Sequence, residues 1–206
     1  MRGEMETDSG TSVRDLRRHQ IVSAARELVA NGGLHALTFS ALESRLAFSR
    51  GVITYHFKNK DEIVLALLER AVADIDGATT AEIQAADTYA GKVRAMIAAT
   101  IRGFLNQPEA SAVLVSYWSR ILTDPALAEV NARLYRTWRR YAAEILSSRR
   151  LEGDPDPEAM AALIVGVVIG LVTQSYFEPG AVDVDAAIET ACETILARLG
   201  GARSDG

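Results

Sequence analysis

The sequence predicts an all-α protein with about nine helices. Apolar residues recur at spacings of three and four along most of the chain, which is the period of an α-helix. No segment shows the sustained alternation of apolar and polar residues that marks a half-buried strand. The five prolines, at positions 108, 125, 155, 157 and 179, fall between the apolar segments, where helices begin and end.

The first helix is predicted from Arg14 to Asn31. The run Asn31-Gly32-Gly33 is a C-terminal stop signal, because glycine readily adopts the left-handed conformation that ends helices. Five apolar residues recur on one face of this helix. They are Ile21, Ala24, Ala25, Leu28 and Val29.

Two short helices follow, separated by a three-residue turn. Thr38 is a candidate N-cap for the second helix, and Ser49 can cap a third helix over residues 50–59. The second helix has an apolar face made of Phe39, Leu42 and Leu46. Two short helices with a supporting helix in front form a helix-turn-helix unit, which places its second helix in the major groove of DNA.

The rest of the chain is predicted to be helical as well. A fourth helix is expected to start near Lys60 or Asp61 and to run to Ile75, with acidic residues in its first turn, where the helix dipole favours them. Gly77 is interpreted as a break. Five further helical segments are predicted over residues 78–106, 109–122, 124–150, 157–177 and 183–199.

Residues 159–177 contain no charged side chain and are just long enough to cross a membrane. Thr173, Gln174 and Ser175 lie within this run, and no basic cluster flanks it, so we predict a buried helix and no membrane partner. The polar first dozen residues do not resemble a secretory signal, and Cys192 has no partner for a disulfide. A cytoplasmic location is therefore predicted.

Charge is distributed unevenly along the chain. The net charge is −5, yet residues 9–60 hold eight Arg or Lys against three acidic residues, whereas residues 61–206 carry a net charge of −8. Such asymmetry predicts a basic part that faces a polyanion and an acidic part with another task.

The third helix is predicted to carry the contacts with DNA. Ile53 and Phe57, four residues apart, should face inward, and the helical period then places Gly51 and Tyr55 on the opposite face. Tyr55 can hydrogen-bond, and the methyl groups at the flanks can meet a thymine methyl. The flanking residues are Val52 and Thr54.

Different side chains lie at the helix ends. Ser49, Arg50 and the free N–H groups of the first turn favour an anion or a guanine edge. Lys60 adds a point charge at the start of the next helix. Thr38 can anchor another phosphate through its hydroxyl and backbone N–H groups, fixing register without reading sequence.

From about Arg14 to Leu68 the chain closely resembles the N-terminal domain of TetR-family transcriptional regulators. The resemblance rests on the ungapped run TFSALESRLAFSRGVITYHFKNKDEIVLALL. Two positions depart from the family pattern: Ala47 replaces the usual turn glycine, at a modest cost if φ is positive, and Thr54 replaces a common Tyr. The resemblance implies DNA contacts from Ser49, Arg50, Val52, Thr54, Tyr55, His56 and Lys60.

The second part of the chain more faintly resembles the choline-responsive BetI-type branch of the family, which implies an effector pocket and a dimer interface. The resemblance lies in YWSRILTDPALAEVNARLYRTWRRYAAEIL and PEAMAALIVGVVIGLVTQSYF. Aromatic faces there would suit an apolar or cationic ligand. The pocket candidates are Met96, Phe104, Tyr117, Trp118, Tyr135, Trp138, Tyr141, Gln174 and Tyr176. The interface candidates are Ile164, Val167, Gly170, Leu171, Ile188 and Ile195.

The predicted organisation is a disordered tail over residues 1–12, a helix-turn-helix DNA-binding domain over 13–62, an effector-binding and dimerisation domain over 63–200, and a tail over 201–206. The predicted function is a ligand-responsive repressor that binds a palindromic DNA operator as a homodimer and is released by a small-molecule effector. The three histidines have no cysteine or carboxylate at ligand spacing, so neither a metal nor a cofactor is predicted.

Two other functions are weighed against this prediction. An all-α enzyme lacks support, because no nucleophile–base constellation, paired carboxylates with a histidine or glycine-rich phosphate loop can be placed. A DNA-binding or adaptor protein without a small-molecule site stays open, and a second domain with a solid core would favour it.

Overall fold

The computed structural model describes residues 12–121 and 125–200, and this part of the chain consists of nine helices without a strand. The all-α prediction is confirmed, and the predicted tails, apart from Ser12, lie outside the described residues. The chain divides between Leu67 and Leu68 into two compact units, and this boundary falls inside α4. The helices are α1 (Val13–Ala36), α2 (Phe39–Leu46), α3 (Arg50–His56), α4 (Lys60–Ala85), α5 (Tyr89–Leu105), α6 (Pro108–Ile121), α7 (Pro125–Ser147), α8 (Pro157–Phe177) and α9 (Val184–Arg198).

The first unit packs α2 and α3 against α1 around a small apolar core. Ile53 and Phe57 are fully buried, which confirms that this side of α3 faces inward. Ile21 and Leu42 are fully buried as well and come from α1 and α2. The predicted stop in α1 is also present: Gly33 has φ +68°, which interrupts the helical backbone within the stretch that continues to Ala36.

The predicted end of α3 was three residues too late. Phe57 is extended (φ −141°, ψ 111°), so the helix ends at His56. Asn59 belongs to the next helix, because its Oδ1 accepts a hydrogen bond from the Glu62 N–H at 2.9 Å. The Glu62 carboxylate accepts one in turn from the Lys58 N–H at 2.8 Å, so both side chains stabilise the start of α4.

Gly77 does not break the chain, contrary to the sequence prediction. α4 continues through it to Ala85, and the interruption falls at residues 86–88. Thr88 then caps α5 by accepting a hydrogen bond from the Gly91 N–H at 3.0 Å. A single exposed glycine costs a helix only about 1 kcal/mol, which the packing of a 26-residue helix easily outweighs.

The second unit is organised around α5, which contacts α6, α7, α8 and α9. Val93, Ile97 and Ile101 are fully buried, one turn apart along α5. Where α5 passes α4, a Cβ placed on Gly103 would lie 2.9 Å from the Ile75 side chain, so glycine permits this close approach. The core of the unit therefore fixes the mutual positions of the helices that surround the cavity described below.

α8 is long and apolar enough to cross a membrane by length and composition, and it is the one such helix in the described ranges 12–121 and 125–200. The sequence prediction of a buried helix holds for only one of its faces, since 28% of its most apolar stretch is buried. Met160, Ala161 and Ile164 belong to the core, whereas Leu163 is 53% exposed. The side of α8 that carries Leu163 therefore remains exposed.

Candidate nucleic-acid interface and ligand cavity

The turn between α2 and α3 is built on an unusual backbone. Ala47 adopts the left-handed conformation (φ 52°, ψ 29°), so the positive φ expected at this turn position is present although the residue is not glycine. Ser49, after the turn, is the N-cap residue of α3 and has an extended backbone (φ −68°, ψ 152°). The turn therefore sets the angle at which α3 leaves α2.

α3 has one buried side and one exposed side. Ile53 holds it to the core, whereas Arg50, Gly51 and Val52 are exposed, and 70% of Tyr55 is accessible. Tyrosine is large and half apolar, so an exposed Tyr55 forgoes the hydrophobic stabilisation that burial would give. The fold alone does not require this exposure. This surface, residues 50–52 and 55, is called the α3 face.

The N-cap residues Thr38 and Ser49 differ in the hydrogen bonds that their side chains make. The Thr38 hydroxyl accepts a hydrogen bond from the Ala41 N–H at 3.1 Å and thereby caps α2. The Ser49 side chain makes no cap hydrogen bond within the described part of the chain, and the Ser49 carbonyl accepts from Val52 N–H at 2.9 Å. The Ser49 hydroxyl is thus available to an external acceptor such as a phosphate oxygen.

The remaining predicted DNA contacts already have partners in the protein. The Thr54 hydroxyl donates to the Arg50 carbonyl at 2.9 Å, and the His56 ring packs edge-on against Tyr55, with centroids 5.1 Å apart. Lys60 is half-buried, and its Nζ donates to the Leu34 carbonyl at 2.6 Å. Lys60 therefore joins the start of α4 to the end of α1.

Arginines of α1 lie beside α3, which the site prediction missed. The guanidinium of Arg14 lies 5.8 Å from the centre of the Tyr55 ring. Arg17 and Arg18 lie over the rings of Phe48 and Phe57, at 4.5 and 4.3 Å. The spacing of positions 14, 17 and 18 places them on one side of a helix, and this pattern could have identified them.

Arg50 has a comparable contact with α2. Its guanidinium lies 5.2 Å from the centre of the Phe39 ring, which restrains a long side chain at the start of α3. Arg45, in contrast, is paired with Glu27 of α1. Arg50 is therefore available at the α3 face, whereas the charge of Arg45 is compensated within the unit.

A cavity of about 450 Å³ lies in the second unit, bounded by α4, α5, α7 and α8. This volume is within the range of small-molecule sites. Most of its wall is apolar, and its polar groups include several threonines. The lining residues are Asp76, Thr79, Thr80, Met96, Thr100, Phe104, Thr137, Trp138, Arg140, Tyr141, Ala142, Glu144, Ile164, Val165, Val168 and Ile169.

The structure brings four of the predicted pocket residues to this cavity: Met96, Phe104, Trp138 and Tyr141. Tyr135 lies edge-on to the Trp138 ring, with centroids 5.5 Å apart, but is not part of the wall. The other predicted residues lie elsewhere or cannot be placed. Trp118 is half-buried outside the wall, Gln174 lines a groove between α8 and α9, Tyr176 is exposed near the end of α8, and the side chain of Tyr117 lies outside the described residues.

The sequence prediction missed the α4 side of the cavity. Asp76, Thr79 and Thr80 follow the i, i+3, i+4 pattern and share one side of α4. Thr80 lies 3.4 Å from the Tyr141 hydroxyl, and Thr79 lies 3.4 Å from the Thr100 hydroxyl. Thr100 itself donates to the Met96 carbonyl at 2.7 Å, so Thr79 is the donor in its pair.

The charges of the wall do not cancel. Arg140 and Glu144 are 3.9 Å apart and form an i, i+4 ion pair on α7. The Asp76 side chain is exposed to solvent, and partial desolvation of its carboxyl raises its pKa above the usual aspartate value. The wall therefore carries a negative charge that its own residues do not neutralise.

The groove between α8 and α9 is shallow and almost entirely apolar. Four of the predicted interface residues line it: Val167, Gly170, Leu171 and Ile195. Ile164 and Ile188 are instead buried in the core. A Cβ placed on Gly166 would have no described atom within 4 Å, so glycine is not required there by packing within the chain.

No group of histidine, cysteine and carboxylate side chains suited to a metal occurs within residues 12–121 and 125–200. Cys192 is buried, and burial raises the pKa of its thiol, which lowers its nucleophilicity at neutral pH. The α3 face and the cavity are the candidate sites for DNA and for a small molecule.

Two family descriptions match the chain. Residues 21–67 match the bacterial regulatory proteins of the tetR family, and residues 89–200, more than half of the chain, match the C-terminal domain of BetI-type transcriptional repressors. Curated relatives cover most of the sequence. The HTH-type transcriptional regulator BetI of Vibrio atlanticus is 23% identical over 84% of this chain and 86% of its own, and that of Burkholderia cenocepacia is 25% identical over 89% and 94%.

Solved structures show the same fold. A transcriptional regulator from Rhodococcus sp. Rha1 has a TM-score of 0.73 and 21% identity, covering 90% of this chain and 96% of its own. A transcriptional regulator from Saccharomonospora viridis, solved in complex with choline, has a TM-score of 0.71 and 19% identity, covering 87% and 95%.

Proposed function

Because the chain belongs to the TetR family of DNA-binding transcriptional regulators, with a BetI-type C-terminal domain, we propose that it represses transcription as a homodimer on a palindromic operator and is released by a small molecule. The family and its relatives are regulators and not enzymes, in agreement with the sequence prediction. The observation that carries the proposal is the exposed α3 face beside α1 arginines. A cytoplasmic location follows from this role.

The α3 face carries side chains that are suited to contacts with bases in the major groove. Arg50 can donate two hydrogen bonds to a guanine, and Tyr55 and Val52 offer a hydroxyl and an apolar contact to base edges. Thr38, Ser49, His56 and Lys60 are proposed to contact phosphates and set the register. Arg14 joins them through its position over the Tyr55 ring.

The α8–α9 groove supports the homodimer. Gly166 and Gly170 leave backbone accessible within an apolar strip, and Leu163 is half exposed at its side. A second copy placed on the same surface would bury this strip through a two-fold contact. Dimerisation presents two α3 helices, which matches a palindromic operator with half-sites about 34 Å, or a multiple, apart.

The cavity supports control by a ligand. α4 supplies Asp76, Thr79 and Thr80 to the wall, and the same helix begins at Lys60, four residues after α3. A ligand that shifts α4 would change the spacing of the two α3 helices. A hundredfold loss of DNA affinity requires about 2.7 kcal/mol of coupling free energy, which is ordinary for such proteins. A neighbour of the same fold, from Saccharomonospora viridis, was solved in complex with choline, which supports a small-molecule effector.

The test is binding of purified variants to DNA fragments that the wild-type protein retrieves from genomic DNA. Arg50→Ala and Tyr55→Ala are each expected to cost about 1–3 kcal/mol at one base position and to relax the preference there. Arg133→Ala, an exposed arginine of α7, is the matched control. Wild-type affinity and preference in both α3 variants would show that α3 does not read the operator.

A further inference from the structure

We propose that Thr54 recognises the C5-methyl group of a pyrimidine in the major groove through its own methyl group, and that it forms a second apolar contact beside that of Val52. Thymine carries this methyl group, and 5-methylcytosine presents the same group at the same place. The proposal assigns Thr54 as a specificity-determining residue and rests on the proposed function, since it requires α3 to lie in the major groove.

The first argument is the state of the Thr54 hydroxyl. It donates to the Arg50 carbonyl at 2.9 Å, and its oxygen lies 3.3 Å from the Gly51 carbonyl oxygen. Its one proton is therefore held by the backbone of α3, and donation to a base would break a hydrogen bond that the helix already has. Staggered geometry at Cβ keeps the methyl group away from the Arg50 carbonyl, so the methyl is left for an outside contact.

The second argument is the position of the two side chains on α3. Ile53 is fully buried and fixes the rotation of the helix against the core. Val52 and Thr54 are its neighbours in the chain, so they lie on opposite flanks, each about 100° away from it. Val52 is 38% exposed and Thr54 is half-buried. Both flanks of α3 can therefore present a methyl group to the bases beside the helix.

The third argument is the distribution of donors along α3. Arg50 is the first residue of the helix, where its guanidinium lies 5.2 Å from the Phe39 ring centre, and Tyr55 is the last residue but one. Their Cα atoms are about 7.5 Å apart along the helix axis, which is about two base-pair steps. The side chains of residues 51–54 offer no free donor to the bases in between. The thymine methyl is the major-groove group that such an apolar surface distinguishes.

The first test replaces thymine by deoxyuridine, which removes only the methyl group, in fragments that the wild-type protein retrieves from genomic DNA. Each thymine is replaced in turn and affinity is measured by fluorescence anisotropy. Loss of one buried methyl contact should weaken binding about fourfold per half-site, at one or two positions. At those positions, 5-methylcytosine should bind about fourfold more tightly than cytosine. Unchanged affinity for every deoxyuridine fragment would overturn the proposal.

The second test uses two variants whose folding is checked by thermal melting. Thr54→Val keeps a methyl group and removes the hydroxyl, so we expect wild-type affinity within twofold. Thr54→Ser keeps the hydroxyl and removes the methyl, so it should lose about fourfold per half-site and no longer distinguish thymine from deoxyuridine at one position. Thr173→Ser is the matched control in the second unit, because the Thr173 hydroxyl also donates to a carbonyl four residues back, that of Ile169, at 2.6 Å.

Three results of the variants would contradict the assignment. A loss in Thr54→Val with full affinity in Thr54→Ser would transfer the contact to the hydroxyl. Sensitivity to deoxyuridine that persists at every position in Thr54→Ser would remove Thr54 from the contact. An equal loss in Thr173→Ser would show that the effect does not arise at a base.

The same measurements separate this proposal from the proposed function. Specific binding to the retrieved fragments that no deoxyuridine alters leaves the repressor standing and overturns methyl recognition. Equal affinity of the wild-type protein for retrieved and scrambled fragments overturns both.

Discussion

Ala47 shows how a single residue sets the angle of the DNA-contacting helix. Its left-handed backbone (φ 52°) costs an alanine roughly 1–2 kcal/mol relative to the right-handed form, and glycine escapes this cost. The strain persists because Leu42 on one side and Ile53 on the other are fully buried and fix both helices.

At position 47, a larger side chain should therefore lower the free energy of unfolding, and glycine should not. We expect Ala47→Gly to be neutral or to raise the free energy of unfolding by up to about 1 kcal/mol, since relief of strain competes with the greater freedom of unfolded glycine. Ala47→Val should lower it by about 1–3 kcal/mol, because a β-branched residue tolerates positive φ poorly. Urea denaturation measures both, and a more stable Ala47→Val would contradict the turn geometry.

Gly51 offers a test that separates folding from DNA contact. A Cβ at this position would meet only the Ser49 hydroxyl oxygen, at 3.8 Å, so Gly51→Ala should leave the melting temperature unchanged or raise it slightly. We expect the same variant to bind operator DNA at least tenfold more weakly, because the added methyl stands on the α3 face. Full DNA affinity together with unchanged stability would mean that no base pair approaches this backbone.

At the scale of the helices, sequence reasoning succeeded where the cause was local. Thr38 and Ser49 mark the starts of α2 and α3, and the spacing of Ile53 and Phe57 identifies the buried side of α3, because caps and periodicity depend on neighbours in the chain. Gly77 was misinterpreted as a break because its weak helix preference is overridden by packing along α4.

The cavity could be predicted only in part, because it depends on which helices become neighbours. Trp138 and Tyr141 were found as aromatic residues, but Asp76 and Thr80 carry no local signal that distinguishes them from a solvated helix face. Gln174 was expected in the pocket and lines the α8–α9 groove, since the rotation of α8 is set by its packing against α5 and α7.

The junction of α4 with α1 makes Lys60 both a structural and a DNA-contacting candidate. Loss of its hydrogen bond to the Leu34 carbonyl should lower the free energy of unfolding of Lys60→Ala by about 1–2 kcal/mol. We also expect the slope of log affinity against log salt concentration to become smaller by about 1 for every DNA sequence, since one phosphate contact is lost.

Lys58→Ala provides the comparison, because Lys58 is exposed and should not affect stability. A stability loss in Lys60→Ala without any change in the salt dependence would make Lys60 a purely structural residue.

For the whole molecule, a repressor that reads a palindromic operator requires two copies of the chain. Gly166→Arg places a long charged side chain in the apolar groove, so we expect monomers by analytical ultracentrifugation with unchanged helical content by circular dichroism. Gly77→Arg is the matched control, because Gly77 is also an exposed helical glycine with open space around its Cβ position. A Gly166→Arg dimer as tight as the wild type would place the interface elsewhere.

The most direct test of the central claim is a hydroxyl-radical footprint of the purified protein on the genomic fragments that it retrieves. We expect two protected segments related by two-fold symmetry, on one side of the duplex, with centres about 34 Å or a multiple apart. Tyr55→Ala should weaken both segments together. A single protected segment, or a symmetric footprint that Tyr55→Ala and Arg50→Ala leave intact, would contradict a dimeric repressor that reads DNA through α3.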